Sequence, residues 1–255
     1  MSEYLKSLAL LCPLIFLGGF IDSIAGGGGL ITLPAYLLVG FPSHLAAGTN
    51  KLIASCGSLT SSAKYIKSGV VDFKVAVFSA AGALMGGALG SRIALMVPDR
   101  GLKLIIMVAL PAVAVFMAIK RDFGKASSEK TLSPRVKASI SLCIGIAMGA
   151  YDGLVGPGAG TFMIFLFTAF LGLDMLISSA CARVTNLASN IASLVVFVAN
   201  GKVDFTYFAP LALCAFLGNW LGARRAIKGG SGQVRKMMFV VMALLFVKIA
   251  WDFFA

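Results

Sequence analysis

Residues 21–34 read IDSIAGGGGLITLP, which places an acid and four consecutive glycines inside a strongly apolar chain. The 255 residues are 59% hydrophobic and 13% charged, with a mean hydropathy of +0.94. Soluble domains are about half apolar and about a quarter charged. This chain therefore has too little polar surface for a soluble fold, and its composition predicts an integral membrane protein.

Apolar segments fall into two groups of five around the polar stretch 120–137. The segments do not alternate in the manner of membrane-barrel strands, so we expect helices. Segments 30–41 and 161–172 are shorter than the roughly 20 residues that a helix needs to cross the hydrocarbon core. Short segments in matching places of two halves are typical of broken or re-entrant helices. The ten segments are 8–25, 30–41, 44–66, 75–97, 102–119, 138–155, 161–172, 176–199, 204–223 and 235–254.

Four sequence stretches recur in the same order in both halves, with offsets of 130 to 136 residues. The pairs are FIDSIAGGGG and AYDGLVGPGAG, GTNKL and VTNLA, GVVDF and GKVDF, and GGALGSR and GNWLGAR, beginning at residues 20 and 150, 48 and 184, 69 and 201, and 86 and 218. Several matches in one order predict an internal repeat. We expect a first transmembrane repeat at 1–119, a linker at 120–137 and a second repeat at 138–255, all within one membrane domain.

Basic residues predict how the repeats are oriented, because Lys and Arg accumulate in cytoplasmic loops. Inverted repeats place fourteen loop Lys and Arg residues on one side and four on the other, whereas parallel repeats give ten and eight. We therefore expect an all-α protein with two inverted-topology repeats, a cytoplasmic linker and both termini outside. Inversion requires an odd number of crossings per repeat, so the first two segments of each should form a short or re-entrant hairpin tipped by glycines.

The glycine runs form the first candidate site. A helix that begins inside the membrane leaves its first N–H groups unpaired, and these groups together with the helix dipole favour an anion. Two such helices entering from opposite faces would create an anion site, whereas the alternative is that the glycines only allow close helix packing. The candidate residues are Gly26, Gly27, Gly28, Gly29, Gly156, Gly158 and Gly160.

Polar and basic residues at the third segment of each repeat form the second candidate set. Hydroxyl and amide groups can donate to an oxyanion or cap a helix, and a basic side chain can attract an anion or extend to the interface. This set contains Thr49, Asn50, Lys51, Arg183, Thr185 and Asn186. Asp22 and Asp152 are equivalent in the repeat, and intramembrane carboxylates are candidates for function. Proton coupling, pairing with Lys51 or Arg183, and capping of the hairpin tip are all open roles for these acids.

Two further patterns predict structural roles. Asp72 and Asp204 each precede an apolar segment, as helix N-caps do. Small residues spaced by four allow membrane helices to approach closely, so we expect glycines with that spacing to serve packing. These glycines are Gly82, Gly86, Gly90, Gly218 and Gly222.

Other function classes find little support in the sequence. One histidine, ten acids and five scattered cysteines provide no metal-ligand set and no HExxH or CxxC motif, so we expect no enzyme, metal or cofactor. No Gly-Lys-Ser/Thr follows the glycines, so nucleotide binding is not expected. The net charge of +12 is explained by loop topology rather than by nucleic acid. A membrane scaffold without transport would leave the repeated polar pairs unexplained, and the oligomeric state is not predicted.

The motifs GGFIDSIAGGGGLITLPAYLLVG, AAGTNKL, GAYDGLVGPGAGTFM and RVTNLASN resemble those of the sulfite exporter TauE/SafE family, over residues 8–254. The resemblance implies a permease that exports sulfite, organosulfonates or related sulfur anions across the bacterial inner membrane. That substrate class agrees with the small-anion site expected from the glycines. We expect a secondary transporter with alternating access, and the alternative is a passive channel or a permease for another small anion.

Overall fold

The computed structural model describes the backbone of residues 3–119 and 132–254, and the side chains of 3–109 and 132–240. These residues form helices joined by short turns, and the described part contains no strand. The helices are α1 (Glu3–Ala25), α2 (Gly29–Leu38), α3 (Ser43–Lys67), α4 (Phe73–Met96), α5 (Asp99–Ile119), α6 (Pro134–Leu154), α7 (Ala159–Leu171), α8 (Met175–Ala199) and α9 (Phe208–Phe254). Helix α9 bends at Gly230, where φ is +62°, into arms α9a (208–229) and α9b (231–254).

The all-α prediction is confirmed, with two differences from the predicted segments. Helix α6 begins at Pro134, inside the predicted linker, because Ser133 caps it and proline suits a first helical position. The last two predicted segments are the two arms of the single bent helix α9. Residues 120–131 of the predicted linker lie outside the described residues.

The apolar surface is on the outside of the bundle and polar groups lie within it. Among the described residues, α1, α4 and α8 are long and apolar enough to cross a membrane, with 23, 24 and 25 residues. Helices α2 and α7 are apolar but only 10 and 13 residues long. Helix α3 has 25 residues yet is less apolar because buried polar residues, Lys51 and Ser61 among them, lie on its inner face. This arrangement is that of a multi-pass membrane protein.

Helices α1 and α9a pack in parallel through glycines. A Cβ atom at Gly218 would overlap the carbonyl oxygen of Phe16, and one at Gly222 would overlap the carbonyl oxygen of Phe20. The contact points therefore advance together along both helices. Because even one methyl group would not fit, the backbones approach as closely as small residues allow.

Helices α4 and α6 form the same kind of parallel pair. Gly86 lies against the carbonyl oxygen of Ile146, and Gly90 lies one turn further against that of Ala150. Gly82 extends the series on the preceding turn. The predicted packing role of the glycines spaced by four is confirmed in both pairs.

Helices α3 and α8 cross the centre of the molecule in opposite directions. Lys51 Nζ is 3.0 Å from Asn190 Oδ1, whereas Ser58 Oγ, two turns later on α3, donates to Asn186 Oδ1 at 3.3 Å. Helix α4 runs parallel to α8, because Ser79 Oγ lies 2.6 Å from the Thr185 hydroxyl and the next hydrogen bond between the two helices lies two turns further along both of them. Helix α3 runs parallel to α9a. Thus α1, α3 and α9a point one way, and α4, α6 and α8 point the other way.

The two ends of the bundle differ in charge. We call one the basic end, since it carries the last turns of α3 and α9a and the first turns of α4 and α6. Its basic residues are Lys64, Lys67, Lys74, Arg135, Lys137, Arg224, Arg225 and Lys228. At the opposite end, Asp99 at the start of α5 accepts hydrogen bonds from the backbone N–H groups of Ser43 and His44 at 3.1 and 3.0 Å.

The two predicted N-caps have different outcomes. Asp72 caps α4 by accepting from the N–H of Val75 at 3.1 Å, so this prediction is confirmed. Burial opposes ionisation of Asp72, but hydrogen bonds from Lys137 and Val75 outweigh it and hold the pKa of the Asp72 carboxyl below its usual value. The prediction for Asp204 is wrong, because its carboxylate accepts from Thr206 in a turn that ends before α9 begins.

Candidate functional site

The glycine runs end α1 and α6 in equivalent turns. Gly26 and Gly156 have φ values of +81° and +89°, and Gly158 has +78°. This left-handed backbone is readily adopted only by glycine. The turns end the first helix of each half abruptly, and the short helices α2 and α7 start within three or four residues.

The two turns, one from each half, touch each other. A Cβ atom at Gly26 would overlap the backbone of Gly160, so the two backbone segments meet without side chains between them. The N–H of Thr161 donates to the Gly26 carbonyl at 3.1 Å, and the Thr161 hydroxyl donates to the Ala25 carbonyl at 2.9 Å. The N–H groups of Gly29 and Gly160, in the first turns of α2 and α7, have no acceptor within the described parts of the chain.

A cavity of about 560 Å³, including its opening to solvent, lies beside these turns. It is lined by residues of α1, α2, α3, α6, α7, α8 and α9a together with both glycine turns. Ten of the predicted site residues line it, namely Asp22, Gly26, Gly28, Gly29, Asn50, Lys51, Asp152, Gly156, Gly160 and Asn186. Gly27, Thr49, Gly158, Arg183 and Thr185 are not among the lining residues.

One buried ion pair crosses the cavity wall from the first half to the second. Lys51 Nζ lies 2.8 Å from Asp152 Oδ2, and the two side chains are only 6% and 5% exposed. The carboxylate also accepts from Ser189 Oγ at 2.7 Å and from the Asn186 amide at 3.4 Å, and the ammonium donates to Asn190. The acid of one half is therefore neutralised by the base of the other.

A second ion pair crosses in the reverse direction. Arg183 Nη1 binds Asp22 Oδ2, and Asp22 Oδ1 accepts from the N–H of Gly28 at 3.0 Å. Asp22 thus both pairs with a cation and caps the glycine turn of its own half. Arg183 is fully buried, and its Nε and Nη2 atoms have no acceptor within the described residues. Its guanidinium lies against Gly160, where a Cβ atom would overlap Nη2.

The two pairs balance the charge of the site. A buried carboxylate, Asp152, and a partly exposed one, Asp22, face two buried cations, and removal of one acid would leave an uncompensated cation in a low-dielectric interior. The acids occupy equivalent repeat positions, but the bases do not. Lys51 aligns with Leu187 in the second half, and Arg183 aligns with Ala47 in the first.

Both predicted threonines make helix contacts outside the cavity wall. The Thr49 hydroxyl accepts from the N–H of Asp204 at 2.9 Å. The Thr185 hydroxyl donates to the Cys181 carbonyl at 2.9 Å and contacts Ser79 on α4. These contacts hold α3 and α8 against their neighbours.

Two asparagines in the cavity wall were not predicted. Asn190 follows Asn186 by four residues, so it lies on the same helical face, and that spacing could have identified it. Asn219 fits between Gly19 and Gly57, and its Nδ2 donates to the Ala215 carbonyl at 3.0 Å. Its Oδ1 is buried without a donor among the described residues. The aligned position in the first half is glycine, so the repeat gave no signal for it.

An all-helical bundle with apolar outer faces, two intramembrane ion pairs and a central polar cavity defines a multi-pass membrane protein with a candidate solute site. The family model of Sulfite exporter TauE/SafE matches residues 11–249, and the chain belongs to this family of membrane transporters. The resemblance seen in the glycine and Thr-Asn motifs is thereby confirmed.

Similar proteins support the same class. A probable membrane transporter protein of Sinorhizobium is 34% identical over 96% of this chain and 93% of its own length. A probable membrane transporter protein of Haemophilus influenzae is 30% identical, with coverages of 96% and 95%. The probable membrane transporter protein YfcA of Escherichia coli K12 is also 30% identical, with coverages of 98% and 95%. No solved structure matches the chain.

Proposed function

We propose that this protein is a secondary transporter that exports a small sulfur-containing anion, sulfite or an organosulfonate, across the bacterial inner membrane. The observation that carries this proposal is the central cavity in which both glycine turns and the Lys51–Asp152 pair meet. The N-terminal ends of α2 and α7 bring positive dipole ends and unpaired N–H groups to this place. The sulfur-containing substrate is inferred from the family.

The helix directions support two inverted repeats. Helices α1, α3 and α4 of the first half correspond in sequence to α6, α8 and α9a of the second, and each runs opposite to its counterpart. The parallel pair of α1 with α9a has its counterpart in the pair of α6 with α4. Inverted repeats around a central site are the usual basis of alternating access, in which one repeat moves against the other.

The short helices support re-entrant hairpins. After the glycine turn, α2 leads back to Ser43, which Asp99 binds at the end of the bundle opposite the basic end. Helix α1 starts at that same end. Helix α7 leads to Asp174, whose carboxylate binds Ser231 beside the bend of α9 at the basic end. Each hairpin would thus enter and leave on one side, and the two would meet at their tips. The basic end and the linker would face the cytoplasm, with both termini outside.

The balanced charge of the site bears on how an anion would bind. Besides the helix N-termini, a further negative charge would be favoured by a cation that is not already neutralised, and Lys51 becomes such a cation only if Asp152 gives up its contact. Protonation of Asp152 would achieve this, because Ser189 and Asn186 could still hydrogen-bond the neutral acid. We therefore propose that anion binding and proton binding are coupled at Asp152.

Flux measurements on purified protein in liposomes test the proposal. Sulfite uptake should saturate as the sulfite concentration increases. When a pH difference is imposed across the membrane, sulfite should accumulate against its own concentration gradient. Gly26→Ala should abolish flux because its methyl group would overlap Gly160, whereas Gly40→Ala has a similar φ of +90° with no atom within 4 Å and should retain flux. Uptake that only follows the sulfite gradient would favour a channel. Absence of flux for every sulfur anion with folded protein would refute the proposal.

A further inference from the structure

Two cations share one aromatic ring at the basic end. Lys64 Nζ on α3 lies 4.1 Å from the ring centroid of Trp220 on α9a, and Arg224 Cζ lies 5.6 Å from the same centroid. Neither cation forms an ion pair within the described parts of the chain. The ring face attracts each cation, but two like charges close together repel. Within the part of the chain that the structure describes, no anionic group offsets this repulsion.

An apolar stripe runs from this cluster along α9a towards the middle of the bundle. Its exposed residues follow the helical spacing of one face, and they are Leu213, Phe216, Leu217, Trp220 and Leu221. Eight residues separate the first from the last, which corresponds to about 12 Å of helix. That length is close to half of a hydrocarbon core of about 30 Å. The stripe thus has the length of one leaflet and ends at the basic cluster.

We propose that Lys64, Trp220 and Arg224 form a binding site for the phosphate of an anionic phospholipid in the leaflet at the basic end. The phosphate would lie between the two cations, and an acyl chain would lie along the apolar stripe of α9a. Guanidinium groups bind phosphate through paired hydrogen bonds, and tryptophan is favoured at the level of the headgroups. The site uses no residue of the central cavity and does not depend on the proposed transport function.

Other basic residues near this end lack the same combination. Lys137 is already paired with Asp72. Arg235 lies 5.9 Å from the ring of Phe239, but it is a single cation on that ring. Lys67 and Arg225 are exposed beside the proposed site and have no recorded ring contact among the described residues. They therefore provide a matched control for the loss of two positive charges.

The test compares two double variants of the full-length protein in detergent. Native mass spectrometry would measure retention of phosphatidylglycerol against phosphatidylcholine with the same acyl chains. Wild type and Lys67→Gln/Arg225→Gln should retain phosphatidylglycerol preferentially. Lys64→Gln/Arg224→Gln should bind it roughly 30-fold more weakly, since each of the two cations in contact with the phosphate contributes about one factor of five. If this variant does not purify, Arg224→Gln against Arg225→Gln gives the same comparison.

Three results would overturn the proposal. Equal loss of lipid in both double variants would mean that only the general charge of the basic end matters. Equal stabilisation by inorganic phosphate and by phosphatidylglycerol, measured by thermal unfolding, would identify a site for soluble anions. A wild-type dimer that dissociates in Trp220→Leu with unchanged lipid retention would show that the stripe is an interface between two copies of the chain.

Discussion

The Lys51–Asp152 pair allows a quantitative test by a double-mutant cycle. Lys51→Met would leave Asp152 buried at 5% exposure with Ser189 and Asn186 as its remaining donors. Breaking a buried ion pair by removing one partner costs about 3–5 kcal/mol. We expect this variant to lose about 3 kcal/mol of stability, because two hydrogen-bond donors to Asp152 remain.

Replacing the acid of the pair should reduce the stability more than replacing the base. Asp152→Leu would leave the Lys51 ammonium with the side-chain oxygen of Asn190, at 3.0 Å, as its remaining hydrogen-bond acceptor among the described residues. We expect a loss near the upper part of the range of about 3–5 kcal/mol. Additive effects would make the double variant about 7–8 kcal/mol less stable. Because the double variant contains neither buried charge, we predict instead that it is no less stable than the worse single variant.

The measurement is thermal unfolding of the purified full-length chain at one fixed scan rate, because irreversible unfolding makes the apparent midpoint rate-dependent. A loss of about 3 kcal/mol corresponds to a decrease of roughly 6–12 °C for a chain of about this size. Lys202→Met removes an exposed lysine and is the control for the substitution itself. A double variant that shows the sum of the two single losses would refute the view that the pair is one energetic unit.

Three further predictions concern the scaffold. Gly86→Ala should destabilise the protein by about 1–3 kcal/mol, because its methyl group would overpack α4 against α6. Gly232→Ala, with no atom within 4 Å, should stabilise the protein by about 0.5–1 kcal/mol. Thermal unfolding measures both, and changes of the same sign would contradict the packing argument. Tyr65→Phe removes a buried hydroxyl that donates to a backbone carbonyl of α1 at 2.8 Å. The free energy of unfolding should therefore fall by about 1–2 kcal/mol, and an unchanged unfolding midpoint would argue against that contact. The lowered pKa of Asp72 means that its contribution is present above about pH 4 and is lost as the pH falls through the folded pKa. The stability difference between wild type and Asp72→Asn should therefore be constant from about pH 8 to 5 and should vanish in acid; a difference that persists there would refute the role of the ionised carboxylate.

The positions of the helices and turns could be predicted because they depend on local properties. Hydropathy fixes where a chain can enter lipid, and four glycines in a row fix where a helix ends with positive φ, as at Gly26. The bend at Gly230 was missed because the polar residues around it resemble a loop, although helix continues on both sides. The repeat located equivalent acids, Asp22 and Asp152, but local sequence could not tell which base each acid meets.

The wall of the cavity depends on helix faces that the motifs do not specify. Thr49 and Asn50 are neighbours in sequence, and neighbours on a helix point about 100° apart. Asn50 lines the cavity, whereas Thr49 binds the chain ahead of α9. The same division separates Asn186 from Thr185. The Thr-Asn pair of each half thus supplies one residue to the site and one to the scaffold, and only the packing of α3 and α8 decides which.

Asp22 connects the glycine turn of the first half with α8 of the second half. Its carboxylate holds the N–H of Gly28 in its own half and the guanidinium of Arg183 in the other half. A movement of α1 and α2 against α8 would therefore separate a fully buried arginine from its partner unless α8 moved with them. Since Arg183 already has two N–H-bearing atoms without acceptors, separation would need another anion at the same place. If one half moves against the other, then either another anion replaces the Asp22 carboxylate or α8 moves together with α1 and α2.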